Sequence, residues 1–525
     1  MHGVELVLIS LLVAVSVLSA ASRAIGVPYP IVLVLGGLVM GFIPGVPEVE
    51  LDPELVLVIF LPPLLYSAAF FASLRDLRYD LRSISLMAVG LVIATACAVA
   101  VVAHALIEDL PWAAAFALGA IVAPTDPLAA IEVGRRVGLP RRLATILEGE
   151  SLINDGSALV IYRVAVGAVG GAFSLTDAGA RFVLGALGGI AIGLAVGWVI
   201  AEIRKRLDDP LVETTISILT GYAAYVPAER AGASGVLAAV TIGIYMGWRA
   251  PEISSSRQRI AGYSMWTILT FLLNALLFVL IGLQLPLILD GLKDEPKVEL
   301  VGVAVAISAV VIACRMIWVH VITAAIRTLD RRASQVARRG TWQGRVVTGW
   351  AGMRGAVSLA AALALPADFP ARDQLLFITF AVILATLVLQ GLTLPAVIRW
   401  SGVHDDGAEE AEVLLARRRA TEAALAKIDE LESEQWPYED TLDRMRRMYR
   451  YRSRRLGALA GELDREDGDD TDYEHRATKY QYVVRTVLEA QRHAIVELRN
   501  TGEISNEVMH RIERELDLED ERLEI

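Results

Sequence analysis

Residues 144–166 read ATILEGESLINDGSALVIYRVAV. Without its charges this stretch would be an ordinary apolar run, long enough to cross a bilayer. It carries Glu148, Glu150 and Asp155, with Ser151 and Asn154 between them. Each isolated charge in a bilayer costs ~2.5–3.5 kcal/mol on insertion scales. Three carboxylates on one spanning helix therefore need partners, protons or a cation. Glu148, Ser151 and Asp155 lie at i, i+3 and i+7, so they share one helical face. Asn154 stacks over Glu150, about 100° further round. This spacing turns Ser151 and Asp155 toward one cavity and Glu150 and Asn154 toward a neighbouring helix.

About twenty residues upstream a second apolar segment reads IVAPTDPLAA, from Ile121. Pro124 and Pro127 lack amide donors, so local helical hydrogen bonds are missing. Carbonyls freed in this way can coordinate a cation where they line a protein cavity. Thr125 adds a hydroxyl. Asp126 can accept hydrogen bonds from a half-helix N-terminus and offset its dipole. Paired acidic helices in lipid, one of them broken, point to a cation pathway. The donors are all oxygens, which suits a hard cation such as Na+ and not a transition metal.

The rest of the chain supports a membrane setting. It has 525 residues, 55% of them hydrophobic, and a mean hydropathy of +0.50. The net charge of −11 is unevenly placed: residues 401–525 hold 20 basic and 32 acidic residues, and residues 1–400 hold 29 and 28. The acidity thus belongs to a soluble tail, and nothing suggests nucleic-acid binding. The first segment has Glu5 where a signal peptide would be basic, so it reads as a first spanning helix. Cys97 and Cys314 provide no disulfide framework or zinc motif.

Thirteen spans are expected, at about 4–21, 28–43, 54–71, 84–106, 111–132, 144–166, 180–202, 211–228, 233–248, 263–289, 299–326, 345–366 and 373–399. With a cytoplasmic tail, the inside loops hold 20 basic residues and the outside loops five. That is a positive-inside bias, with the N-terminus outside. Thirteen spans also suggest two six-helix halves around an extra helix. The fifth span of each half is interrupted, by Pro124 and Pro127 in one and by Gly352 and Gly355 around Arg354 in the other. Interrupted helices at matching positions point to a transporter binding site.

Arg354 must be compensated, and Glu150 is its expected partner, which leaves Asp155 as the titratable carboxylate. Arg163 and Arg315 read as lying toward span ends, where they could snorkel. His104 and His320 read as interfacial, and Asn274 as an interhelical hydrogen-bonding residue. Gly185, Gly189, Gly193 and Gly197 form a stripe that could serve a dimer interface or packing within the subunit. In the tail, Leu414, Thr421, Ala424, Ile428 and Leu431 mark one amphipathic helix, ended by Pro437. A second carries seven arginines between 444 and 455. Such a helix can bind anionic lipid, pair with the acidic tail, or present a solvated face. The acidic linker DREDGDDTD and two further helical stretches follow. A Ser–His pair or HExxH motif for hydrolysis is missing, so an enzyme is not expected.

Four stretches together resemble the monovalent cation:proton antiporter superfamily, in its electroneutral NhaP/NHE branch and bacterial form. They are FLPPLLYSAAF from Phe60, IVAPTDPLAA, LEGESLINDGSALV from Leu147, and GWAGMRGAVSLA from Gly349. The resemblance implies an all-α membrane protein of thirteen helices in two inverted repeats, with broken helices that cross. It implies a core domain that moves against a dimerisation domain, hence a homodimer, in a plasma membrane. It implies a Na+ (or Li+) site at Asp155, with Asp126, Thr125 and Ser151 nearby, supported by Asn154 and by a Glu150–Arg354 pair. No cofactor is implied beyond the transported ions. Asn154 before Asp155 matches electroneutral members. Ser67 and Asn274 stand where some microbial relatives have acids. The expected organisation is an antiporter domain over 1–400 and a cytoplasmic helical tail over 401–525. The expected activity is electroneutral Na+/H+ exchange by alternating access, with K+/H+ exchange or a cation channel as alternatives.

Overall fold

The structure is a computed structural model. It describes the chain except for residues 1, 45–52, 170–174, 208, 293–296, 330–339, 405–406, 435–437, 460–469, 502, 505–507, 510–511, 514 and 520–525. Among the described residues every element is helical. This follows from the apolar runs, because in lipid each unpaired backbone group costs several kcal/mol and helix pairs them all locally. Leu81–Leu106, Arg141–Val169, Phe182–Arg204, Ser256–Gly291, Val298–Thr328 and Arg372–Ser401 are each long and apolar enough to cross a membrane. Among the described residues a helix or an interrupted helix lies in each expected span.

The chain divides into two compact units, Met1–Asp405 and Asp406–Ile525. In the first, α1 (His2–Ile25) and α2 (Tyr29–Gly41) precede α3 (Pro53–Ile59) and α4 (Leu61–Phe71). Pro62 and Pro63 open α4, where missing amides cost least. Two short helices, α5 (Leu74–Tyr79) and α6 (Leu81–Ser85), lead through a π turn into α7 (Val92–Leu106). Then come α8 (Trp112–Val122), α9 (Leu128–Arg136), α10 (Arg141–Val169), α11 (Leu175–Arg204), α12 (Pro210–Arg230) and α13 (Gly235–Ile253). They are followed by α14 (Ser256–Leu283), α15 (Leu285–Gly291) and α16 (Lys297–Leu329). The unit closes with α17 (Trp342–Trp350), α18 (Ala356–Leu363), α19 (Arg372–Ala385) and α20 (Gly391–Ser401). Side-chain caps set several starts: Asp209 for α12, Ser234 for α13, and a Ser255–Gln258 capping box for α14.

These helices pack as two bundles. One contains α1, α2, α4 and α11–α14; the other contains α7–α10 and α16–α20. In the first bundle α2 and α14 touch backbone to backbone. A Cβ on Gly37 would run into the Val279 carbonyl, and one on Gly282 into that of Val34. The glycine stripe on α11 is used in the same way. Cβ atoms on Gly189 and Gly193 would meet the Ser234 and Ala238 carbonyls, so within this subunit these two glycines seat α11 on α13. Arg204, counted among loop charges, is instead buried against Glu213 and donates to Ser254 Oγ at 3.3 Å.

The second unit holds α21 (Ala408–Glu432), α22 (Glu439–Leu459) and α23 (Asp470–Asn500). Arg446 of α22 reaches Asp429 and Glu432 of α21 at 3.1 and 2.6 Å. Leu488, Ile495, Met509 and Leu516 form a small separate core. Pro437 and most of the acidic linker lie outside the described residues.

Candidate ion-binding site

The two interrupted helices meet at their breaks. Helix α8 stops at Val122, and helical bonding resumes with α9 at Leu128. Helix α17 stops at Trp350, and α18 starts at Ala356. Between them the Asp126 amide donates to the Met353 carbonyl at 2.8 Å, so the extended segments cross. The crossing is tight: a Cβ on Gly355 would sit 2.6 Å from the Asp126 Cβ. No side chain fits there.

Broken helices leave dipole ends inside the protein, and each end meets a charge. Asp126 Oδ1 accepts the Leu128 amide at 2.9 Å, which caps the start of α9. Its side chain also abuts Gly355, the N-cap of α18. Arg354 serves the opposite ends. Its Nε donates to the Val122 carbonyl at 3.0 Å, and its Nη1 to the Gly352 carbonyl. Thr386 holds the Arg354 amide at 3.2 Å.

Helix α10 runs beside this crossing. Thr125 Oγ1 donates to Glu150 Oε1 at 3.0 Å. Asn154 Nδ2 donates to the same Thr125 hydroxyl at 3.0 Å and to its carbonyl at 3.3 Å. The amide of Asn154 thus locks α10 onto the first break. Among the described residues Asn154 Oδ1 is buried with no hydrogen-bond partner. Asp155 is 7% exposed, and among the described residues no group donates to its carboxylate. Asp126 lies within electrostatic reach of it. Thr125 and Asp126 thus lie at the break beside α10, whose Asn154 and Glu150 face it, and the half-buried Ser151 stands one turn before Asp155 on that helix. Among the described residues no cluster of His, Cys, Asp and Glu could hold a resident metal.

The profile described as sodium/hydrogen exchanger, transmembrane, matches residues 8–400. The chain belongs to the transmembrane sodium/hydrogen exchanger family. An uncharacterized Na(+)/H(+) exchanger of Mycobacterium tuberculosis is 38% identical over 529 residues, covering 98% of this exchanger and 96% of the relative. The Na(+)/H(+) antiporter ApNhaP of Aphanothece halophytica is 34% identical over 434 residues, covering 81% and 80% of the two chains. The solved structure of the sodium proton antiporter MjNhaP1 from Methanocaldococcus jannaschii matches with a TM-score of 0.58 at 20% identity. It covers 76% of this exchanger and 98% of that chain, and shows the shared fold.

One pairing in the exchanger corrects the sequence reading. Glu150 is held by Arg315 and not by Arg354: Arg315 Nη1 donates to Glu150 Oε1, and Nη2 to Oε2 at 2.9 Å. The Arg315 Nε donates to the Thr348 carbonyl at 3.1 Å. Arg315 is fully buried near the middle of α16, too far from either end to snorkel. It supplies the bidentate fork that a buried carboxylate needs, and Arg354 is committed to the broken-helix carbonyls. Arg163 also has a partner, Glu229 of α12, at 2.6 Å. His104 bonds the Leu110 carbonyl and His320 that of Met316. Asn274 has no hydrogen-bond partner among the described residues, so the expected interhelical bond is not seen.

Proposed function

We propose that the exchanger carries Na+ (or Li+) one way and H+ the other, 1:1, with both ions competing for Asp155. The observation that carries this reading is a buried carboxylate without a donor among the described residues, set beside a broken-helix crossing whose other charges are already matched. A carboxylate in that setting favours whichever cation is present, proton or metal ion. Thr125, Ser151 and Asp126 would complete an oxygen shell for a hard monovalent cation. Asn154 orients α10, and Glu150 with Arg315 and Arg354 keeps the crossing in shape.

Alternating access would use the two bundles, with α7–α10 and α16–α20 moving against α1, α2, α4 and α11–α14. Residues 1–400 form the antiporter domain on this reading, crossing the membrane thirteen times in two inverted repeats. The basic-residue asymmetry of the loops supports a plasma-membrane protein with its N-terminus outside and residues 401–525 in the cytoplasm. A homodimer would hold the less mobile bundle still. That bundle offers a broad apolar face on α11, with Val183, Leu184, Leu187 and Trp198 exposed.

Reconstituted exchanger given an outward or inward Na+ gradient should move protons. Flux with K+ but not Na+ or Li+ would reassign the cargo, and ion movement without proton coupling would make the protein a channel. No flux with any of the three ions would refute the reading.

A further inference from the structure

The tail carries a surface that the transport reading does not use. Helix α22 packs one face on its neighbour: Leu442 and Leu456 are buried, and Arg446 pairs with Asp429 and Glu432. At 100° per residue, Arg444, Arg447, Met448, Tyr451 and Arg454 fall on the opposite side of the helix. All five are exposed. Arg444, Arg447 and Arg454 have no ion-pair partner among the described residues, unlike Arg446. The pattern is a basic stripe with a methionine and a tyrosine in its centre.

We propose that this face of α22 docks on the anionic headgroups of the membrane in which the chain is embedded. The stripe's charge complements an anionic lipid surface, and its residue types fit one. Guanidinium groups pair bidentately with phosphate, and Tyr451 and Met448 suit the headgroup boundary. The chain supplies proximity as well: α22 begins 38 residues after the end of α20 at Ser401, so the surface is always near at high effective concentration. Each arginine near an anionic surface strengthens attachment by about fivefold. Loss of three should weaken it by about a hundredfold. The contact is mainly electrostatic, so salt should release it. This inference rests on the membrane setting of the chain and not on which ion is carried.

The test uses the full chain in nanodiscs, with Cys97→Ala and Cys314→Ala removing native thiols. A fluorophore on Met448→Cys reports approach to lipids that carry a quencher. Quenching should be several-fold stronger in discs rich in phosphatidylglycerol than in phosphatidylcholine alone. It should fall away at about 0.5 M salt, where the Debye length is only a few ångström. It should also be lost in the Arg444→Gln/Arg447→Gln/Arg454→Gln variant, with α-helix content unchanged by circular dichroism. Equal quenching in both lipids, or quenching that survives the triple substitution, overturns the proposal. So does an unquenched label that responds only when the acidic segment 462–470 is neutralised, because the arginines would then serve the chain's own tail.

Discussion

Asp155 supplies the proposed reactive group of α10, and the Glu150–Arg315 pair ties another side of the same helix to α16. Asp155→Asn keeps the volume but removes the titratable oxygen, so exchange should fall to background with the fold intact. Retained Na+-driven proton flux in that variant would take Asp155 out of the mechanism. Arg315→Gln should act differently, because it leaves Glu150 buried with its main partner gone. Breaking a buried pair costs ~3–5 kcal/mol, so the melting temperature in detergent should drop by several degrees or more. The double variant Glu150→Gln/Arg315→Gln should recover much of that loss. If Arg315→Gln melts like wild type, the pair does not hold the site. This partner was not legible in the sequence. A lone arginine in an apolar run shows that some carboxylate must face it, but Arg315 and Glu150 are 165 residues apart. Helical spacing says nothing about which of two buried arginines reaches across. That Glu150 and Asn154 turn to the same neighbour was legible, because they lie one turn apart, where 3.6-residue periodicity is reliable.

At the level of elements, Pro124, Pro127, Gly352 and Gly355 marked both interruptions before any coordinates, since each residue type has a direct backbone consequence. Which groups would fill the dipole ends was partly readable: Asp126 was expected at a half-helix start, and the carbonyls held by Arg354 were not. Gly355→Ala tests how closely the breaks must cross. Its methyl group would displace Asp126, so transport should fall at least tenfold with the chain still folded. Near-normal exchange would mean that the crossing yields easily. Arg163 and Glu229 connect the two bundles through α10 and α12. Arg163 lies eight residues beyond Asp155, about 12 Å along the axis toward the proposed outer surface. This ion pair is half exposed, so it is worth only about 0.2–1 kcal/mol. Neutralising either residue should favour opening to the outside and change the apparent external Na+ affinity by about fivefold or less. The two changes should be non-additive in a double-mutant cycle. Additive effects would separate the pair from gating.

For the whole molecule, 1:1 exchange predicts that no net charge crosses per cycle. A potassium–valinomycin potential imposed on proteoliposomes should not drive Na+/H+ exchange when chemical gradients are balanced. Potential-driven exchange would require a second travelling charge, with Asp126 or Glu148 the first to examine. Competition at one carboxylate also fixes the pH response. Below the pKa of Asp155, apparent Na+ affinity should weaken by about tenfold per pH unit, because the proton must leave before the metal ion enters. The charges at and beside the crossing nearly cancel. With all five groups ionised, Asp126, Glu150 and Asp155 stand against Arg315 and Arg354, so on the proposed mechanism the vacant site would carry one negative charge and the site holding either ion none. Turning a vacant site from one solvent to the other would move an unbalanced charge across the barrier, at ~2.5–3.5 kcal/mol or more. That penalty would slow an empty turnover by roughly a hundredfold. On the proposed mechanism slippage would then be suppressed by electrostatics alone, and a cell using this protein would lose little of its proton gradient when sodium is scarce.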